Sequence, residues 1–539
     1  MEAIRTYERR ISIETDVTPK KLLLVNLPND LDELMICRLD TERKVVEPCS
    51  IVIFGASGDL TARKLVPALY HLFKDQQMPA ALRIVGLARR EKTDEAWRAE
   101  LRGALGEFSR TQPVDDAVWR DFAANVCYCQ GDLTDSASYV RLRQKLEAFG
   151  QPELRRHLLF YLAISPSQFG PAVEQLHQAG LLDREGGTGW QRVVVEKPFG
   201  HDQVSARALN AELMRFLHEQ QVYRIDHYLG KETVQNILMF RFSNSIFERV
   251  WNRETVDHVQ LTVSEKLGVG ERGGYYEEAG ALRDMVQNHL LQVLALVAME
   301  PPVSLEAEAI RDEKVKLLKS IRFPQPEQVV RGQYLRGMMD GKPQPGYRQE
   351  ARVNPHSSVE TYVALKLFID NWRWSGVPFF LRTGKCLPLS ASEVRVQFRP
   401  TPNVLFAAAC GPKLDPNALT LRLQPDEGIS LRFNGKIPGA AVGVRPVRMH
   451  FSYDAEFGAY TSEAYERLLL EAIAGDATLF IRRDEVETAW QIADAVRAGW
   501  DGKPLANEEF YAAGTWGPAA ADELLARGGH TWRHPQPVK

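Results

Sequence analysis

The stretch Ser50-Ile51-Val52-Ile53-Phe54 runs without a polar break into Gly55-Ala56-Ser57-Gly58-Asp59-Leu60, and a helical pattern through Leu65, Leu69 and Leu72 follows. A strand that does not alternate is buried on both faces, which belongs to a sheet with helices above and below it. Gly55 permits the tight turn, and Gly58 lets backbone come close to a pyrophosphate. The helix start adds free N–H groups and a positive dipole end. The G-A-S-G loop is shorter than G-x-G-x-x-G, so its position between buried strand and helix carries the reading. Arg83–Ala88, Leu158–Ala163 and Arg192–Glu196 repeat the strand pattern, with helical segments over 137–149 and 171–179 between them. Alternating strands and helices predict a Rossmann-like, doubly wound dinucleotide domain. Its second strand ends at Arg89-Arg90. Cations in place of an acid at that point predict NADP, whose 2′-phosphate they would meet.

Beyond about residue 240 the pattern changes to period-two alternation, as in His258–Val263, Val394–Phe398, Leu421–Leu423, Leu431–Phe433 and Val447–Phe451. Such strands suit a half-buried, mainly antiparallel sheet. Asp426-Glu427-Gly428 and Asn434-Gly435 supply turn chemistry between its strands. Helical patterns over 282–299, 462–474 and 486–495 can cover the apolar face. The expected plan is α/β followed by α+β: an arm over 1–48 of open purpose, a dinucleotide domain over 49–226, and a substrate-binding and oligomerisation domain over 227–539. Within the arm, Leu22–Val25 is a short apolar run that fits either an edge strand or a loose segment.

Composition restricts the function classes. The 539 residues carry 67 Lys and Arg against 70 Asp and Glu, a net charge of −3, with 44% hydrophobic and 25% charged residues. That balance excludes a largely disordered chain and a surface built around nucleic acid. Six cysteines (37, 49, 127, 129, 386 and 410) are too few for a disulfide scaffold, and no Cys/His set completes a metal site. Cys127 and Cys129 would share one face of a strand. No apolar run reaches membrane-spanning length, and the start has no secretory apolar core. A cytoplasmic location is the expectation.

Two segments hold ionisable residues that core patterning does not require. The first is Tyr223-Arg224-Ile225-Asp226-His227-Tyr228-Leu229-Gly230-Lys231. A helix starting at His227 would put His227, Tyr228 and Lys231 on one face, a cradle of donors for a phosphomonoester. The second is Arg283-Asp284-Met285-Val286-Gln287-Asn288-His289. Leu282, Met285, Val286, Leu290 and Val293 define the inward stripe, and His289 falls on it. An inward histidine needs a hydrogen-bond partner, and Asp226 is a candidate. Lys197 follows a buried strand and should face the cleft where ligands collect in doubly wound sheets, and Lys385 is a similar strand-end lysine in the second domain.

From Cys49 to Trp532 the chain resembles the glucose-6-phosphate dehydrogenase family. The resemblance rests on G-A-S-G-D-L, G-L-A-R, V-E-K-P-F-G, R-I-D-H-Y-L-G-K-E, W-N-R, R-D-M-V-Q-N-H, R-T-G-K and Y-E-R-L-L-L, all in the family's order. It implies oxidation of glucose 6-phosphate at C1 to the 1,5-lactone with NADP, the first oxidative step of the pentose phosphate pathway, by a homodimer or homotetramer. By the same resemblance His289 is the general base and Asp226 its carboxylate partner. Lys197, His227, Tyr228, Lys231, Glu265, Asp284 and Lys385 are substrate residues. Gly55, Ala56, Ser57, Gly58, Asp59, Leu60, Arg89, Asp132 and Lys197 are cofactor residues. Ser390 departs from the family, where a second basic residue is common, and shifts phosphate binding toward Lys231 and Lys385. The alternative is an altered NADP-binding sensor on the same fold, which would show an intact glycine loop beside an eroded sugar site.

Overall fold

The computed structural model describes residues 46–185, 187, 189–402, 414–439, 443–457 and 462–536. The Leu22–Val25 run, Cys37 and Cys410 lie outside them.

A seven-stranded sheet comes first, in the order Phe480–Ile481, Val222–Ile225, Gln191–Val195, Leu158–Leu162, Cys49–Phe54, Leu82–Ala88, Val126–Gln130. Its last six strands are parallel, joined by helical crossovers. Both faces are apolar, as the uninterrupted runs demand. Val52, Phe54, Val85, Leu87, Cys127 and Cys129 face one helical layer. Ile51, Ile53, Ile84 and Tyr128 face the other, with Leu69, Trp97 and Phe122. The two cysteines therefore share a face with Tyr128 opposed, as strand alternation requires.

The chain returns to this sheet late. Phe480–Ile481 pairs antiparallel with Val222–Ile225. Leu468, Leu469, Ala472 and Ile473, from the helix Ala464–Ala474, join the apolar layer of Ile51, Tyr161 and Tyr223.

The larger sheet runs Val444–Ser452, Gly428–Lys436, Ala418–Gln424, Ala391–Phe398, Val256–Ser264, Pro378–Gly384, Tyr362–Ile369, Val329–Leu335, Phe510–Ala512, with Ile321–Arg322 paired beside Tyr362–Ile369. It is mainly antiparallel, but Pro378–Gly384 runs parallel to Val256–Ser264. On its apolar face Val259, Leu261, Leu381 and Val394 pack with Leu291, Leu294 and Val297 of the wholly buried helix Leu291–Ala298.

Two expectations need correction. The central alternating strands are not half-buried: Gln260, Thr262, Ser264 and Arg382 are as inaccessible as their apolar neighbours, whereas the outer strands Gly428–Lys436 and Val444–Ser452 stay partly exposed, as expected. The C-terminal tail covers the polar face. Gln260 donates to Thr531 O (2.9 Å) and accepts from Arg533 N (2.8 Å), and Arg382 donates to Arg533 O (2.7 Å). Asn434-Gly435 does not turn. Both residues sit in the strand Gly428–Lys436, paired with Pro446 and Arg445. The chain reverses beyond them, where Pro438-Gly439 supplies the turn. Asp426 does lie in a turn, at φ +54.

Candidate active site

The second correction at residue level concerns Asp226–Lys231. It is a turn, not a helix. The strand Val222–Ile225 ends, and the chain folds through 226–231 before the helix Glu232–Phe242 starts. Asp226 caps this turn by accepting Tyr228 N–H at 2.9 Å. Lys231 is the residue before the helix, and its ammonium lies 3.7 Å from the centroid of the Tyr228 ring. The expected cradle thus forms by a turn that stacks Tyr228 and Lys231, not by helical spacing.

The turn stands at the carboxyl edge of the parallel sheet, against the helix Leu282–Leu290. Here Asp226 and His289 meet. His289 Nδ1 lies 2.5 Å from Asp226 Oδ1, with both side chains about 1% exposed. Tyr228 stacks on the His289 ring at 4.3 Å, and its hydroxyl lies 3.2 Å from Ser392 Oγ. His227 approaches the same ring edge-on at 4.6 Å. Lys197, at the end of Gln191–Val195, donates to His289 Nε2 (3.0 Å), Asp284 Oδ1 (3.1 Å) and Asp284 O (3.0 Å). Tyr275 also donates to Asp284 Oδ1.

Electrostatics assign the protonation states. Burial would raise Asp226, but His289 and the Tyr228 amide outweigh it and hold the carboxyl well below its usual range. Burial lowers His289, opposed by Asp226 and reinforced by Lys197. The imidazole is therefore neutral near pH 7, with its proton on Nδ1 and its lone pair on Nε2. Burial, with His289 beside it, keeps His227 neutral as well. Burial pushes Lys231 down to about 8 against the pull of Asp226. For Asp284 the charges of Lys197 and Lys385 overcome burial and keep it ionised.

These groups line one cleft of about 740 Å³. Lys197, His227, Tyr228, Lys231, Glu265, Asp284, His289 and Lys385 all border it, and so do Asp59 and Leu60 from the glycine-loop end. Lys385 is held by Glu265 at 2.5 Å, and Lys231 donates to Gln424 at 2.5 Å. Ser390 is on the wall, its hydroxyl accepting Lys266 N–H. Asp226 stands behind His289, not on the wall.

The remaining loop residues, Arg89 and Asp132 lie beyond the cleft, along the same sheet edge. Gly55 has φ +80, and a Cβ there would come within 2.2 Å of Ala163 O, so the turn admits only glycine. The amides of Gly55 and Ala56 bond Leu87 O, which sets the loop beside the strand that leads to Arg89-Arg90. Tyr128 Oη and Gln130 Nε2 pin the backbone of those arginines, and their side chains are exposed. Asp132 is engaged in its own turn, accepting from Thr134, within reach of the Arg89 charge. A turn closed to side chains, a helix start and two exposed guanidinium groups fit a phosphorylated dinucleotide.

Sequence reasoning missed several cleft residues. Glu196 accepts from Tyr161 (2.5 Å) and Tyr465 (3.2 Å), and burial raises its carboxyl. An acid ending a buried strand was the available signal. Lys64 and Arg272 also line the cleft, and nothing in their spacing marks them.

Fold and cleft together define a dinucleotide-dependent dehydrogenase. Residues 52–236 match the family described as glucose-6-phosphate dehydrogenase, NAD binding domain, and residues 238–533 match its C-terminal domain. The chain belongs to the glucose-6-phosphate dehydrogenase family. It is 46% identical over 492 residues to glucose-6-phosphate 1-dehydrogenase of Chlamydia pneumoniae, covering 90% of this chain and 96% of the relative. Glucose-6-phosphate 1-dehydrogenase 2 of Mycobacterium tuberculosis is 43% identical over 497 residues, covering 91% and 96%. Among solved structures, a glucose-6-phosphate dehydrogenase in complex with glucose 6-phosphate superposes with a TM-score of 0.83 at 36% identity, covering 91% of this chain and 99% of the other. Glucose-6-phosphate 1-dehydrogenase from Mycobacterium avium gives 0.79 at 38% identity, covering 92% and 100%. No helix among the described residues is long and apolar enough to cross a membrane.

Proposed function

We propose that this protein oxidises D-glucose 6-phosphate at C1 to 6-phospho-D-glucono-1,5-lactone with NADP. One observation carries the reading. A neutral, buried imidazole turns its Nε2 lone pair into a cleft lined by four lysines while its Nδ1–H is fixed on a carboxylate.

The reaction removes the O1 proton and the C1 hydride and leaves a C1=O double bond. NADP, when bound, accepts the hydride. His289 Nε2 accepts the proton, at the position where it now accepts from Lys197. Asp226 fixes the tautomer and stabilises the imidazolium that forms. Lys197, held by Asp284, has donors to orient O1 and the ring hydroxyls. Lys231, His227, Tyr228 and Lys385 bind the phosphate, a remote anchor whose binding energy orients C1. Glu265 and Asp284 accept from sugar hydroxyls. Gly55–Leu60, Arg89 and Asp132 serve the dinucleotide. Every singled-out sugar-site residue is present except at the Ser390 position, which weighs against the sensor alternative. Cytoplasmic location and self-association as a dimer or tetramer complete the reading.

NADPH absorbance with glucose 6-phosphate and NADP tests it, and folded protein without turnover would refute it. Two further outcomes are expected. Arg89→Ala should weaken NADP by about 10–100-fold, the worth of a charged phosphate contact, and NAD far less. Equal losses would remove the 2′-phosphate contact. Lys231→Ala should raise KM for the sugar phosphate by about 10–100-fold with kcat little changed. In the intact protein Lys231 is charged below about 8 and loses its proton above it. KM should therefore climb as pH passes that value and stay flat in the Ala variant. A KM series across that range decides the point.

A further inference from the structure

Asp284 and His289 are five residues apart on one helix. At 3.6 residues per turn, an α-helix would rotate them about 140° from each other. Both nevertheless contact the same Lys197 Nζ, at 3.1 and 3.0 Å. The reason is that Leu282–Leu290 is a π-helix, whose i→i+5 bonding brings residues five apart toward one face. Its last turn hands the amide of Leu291 to Val286 O, five residues back. Such widened turns are rare in α-helices, and this one has a fixed origin.

That origin is Gly280 and Glu360. Gly280 breaks the preceding helix at φ +64 and ψ 173. A Cβ at this glycine would lie 2.4 Å from Glu360 Oε1. The next two amides are both taken by Glu360: Ala281 N–H donates to its backbone O (2.9 Å) and Leu282 N–H to Oε1 (2.9 Å). A carboxylate at this end of a helix satisfies an orphan amide and complements the dipole. Glu360 is only 9% exposed and does not border the substrate cleft. Its neighbour Thr361 accepts Lys385 N–H at 2.9 Å. One short segment therefore references both the helix that carries His289 and the strand end that carries Lys385.

We propose that Glu360 is a positioning residue: by holding the Leu282 amide it sets the start and rotation of the widened turn, and so keeps Asp284 and His289 on one face against Lys197. The proposal rests on the reading of His289 as proton acceptor. Glu360→Gln keeps an acceptor oxygen, Glu360→Asp draws it back by one methylene, and Glu360→Ala removes it. The Ala variant should lose about 10–100-fold in kcat, the scale of a small misplacement of reacting groups, with KM for both substrates little changed. The Asp variant should lose part of kcat and the Gln variant should restore most of it. A merely structural role would lower thermal stability without this split of kcat from KM or this rescue. Unchanged kcat in the Ala or Asp variant, or a Gln variant as impaired as Ala, would overturn the proposal. A wild-type protein without turnover would instead overturn the functional reading.

Discussion

His289→Asn is expected to lower kcat by about 10²–10⁴-fold, the range for loss of a general base. Binding of glucose 6-phosphate should survive, because Lys231 and Lys385, proposed above for the phosphate end, are left in place and asparagine fills much of the imidazole's space. The pH profile separates this from a packing defect. Burial and Lys197 set His289 below the ordinary imidazole range despite Asp226. It is a competent acceptor above its pKa and is lost as pH falls through it. The acid limb of the wild-type kcat/KM should therefore lie below about 6.5, the unperturbed imidazole value, separate from the alkaline fall that Lys231 brings, and the Asn variant should lack that acid limb. A modest loss of kcat with the limb intact would remove His289 as the acceptor.

Asp226→Asn should cost about 10²–10⁴-fold in kcat for a different reason, since the carboxamide can donate to Nδ1 and turn the lone pair away from the cleft. It also removes a negative charge that raises His289. Any residual acid limb should accordingly move to lower pH than in the wild type. Kinetics across pH on both variants check the sign, and a shift to higher pH would contradict the assigned electrostatics.

The parallel strands were legible because burial on both faces leaves an uninterrupted apolar run, as at Ser50–Phe54. His289 was legible as an inward residue because helical periodicity places it on the stripe of Leu282, Met285 and Val286. Its approach to Asp226, 63 positions earlier, was only a candidate contact, since spacing along the chain does not encode which sheet edge meets which helix. The 226–231 turn escaped for the opposite reason: i,i+3 and i,i+4 spacing fits a tight turn as well as a helix. Period-two alternation marked the polar face of the large sheet correctly as polar, but could not show that the tail around Arg533 would cover it. The widened turn carrying Asp284 and His289 leaves no compositional mark at all.

The late return of Ala464–Ala474 and Phe480–Ile481 has a consequence for biosynthesis. Val222–Ile225 leaves the ribosome about 255 residues before its edge partner, roughly 10–50 s at ordinary elongation rates. Through that interval Leu159, Tyr161, Val194 and Tyr223 lack the helix that seals them, and the open strand edge is a template for pairing with other chains. A nascent chain halted near residue 460 is therefore expected to recruit chaperones or aggregate, whereas one extended past residue 481 can close its first sheet.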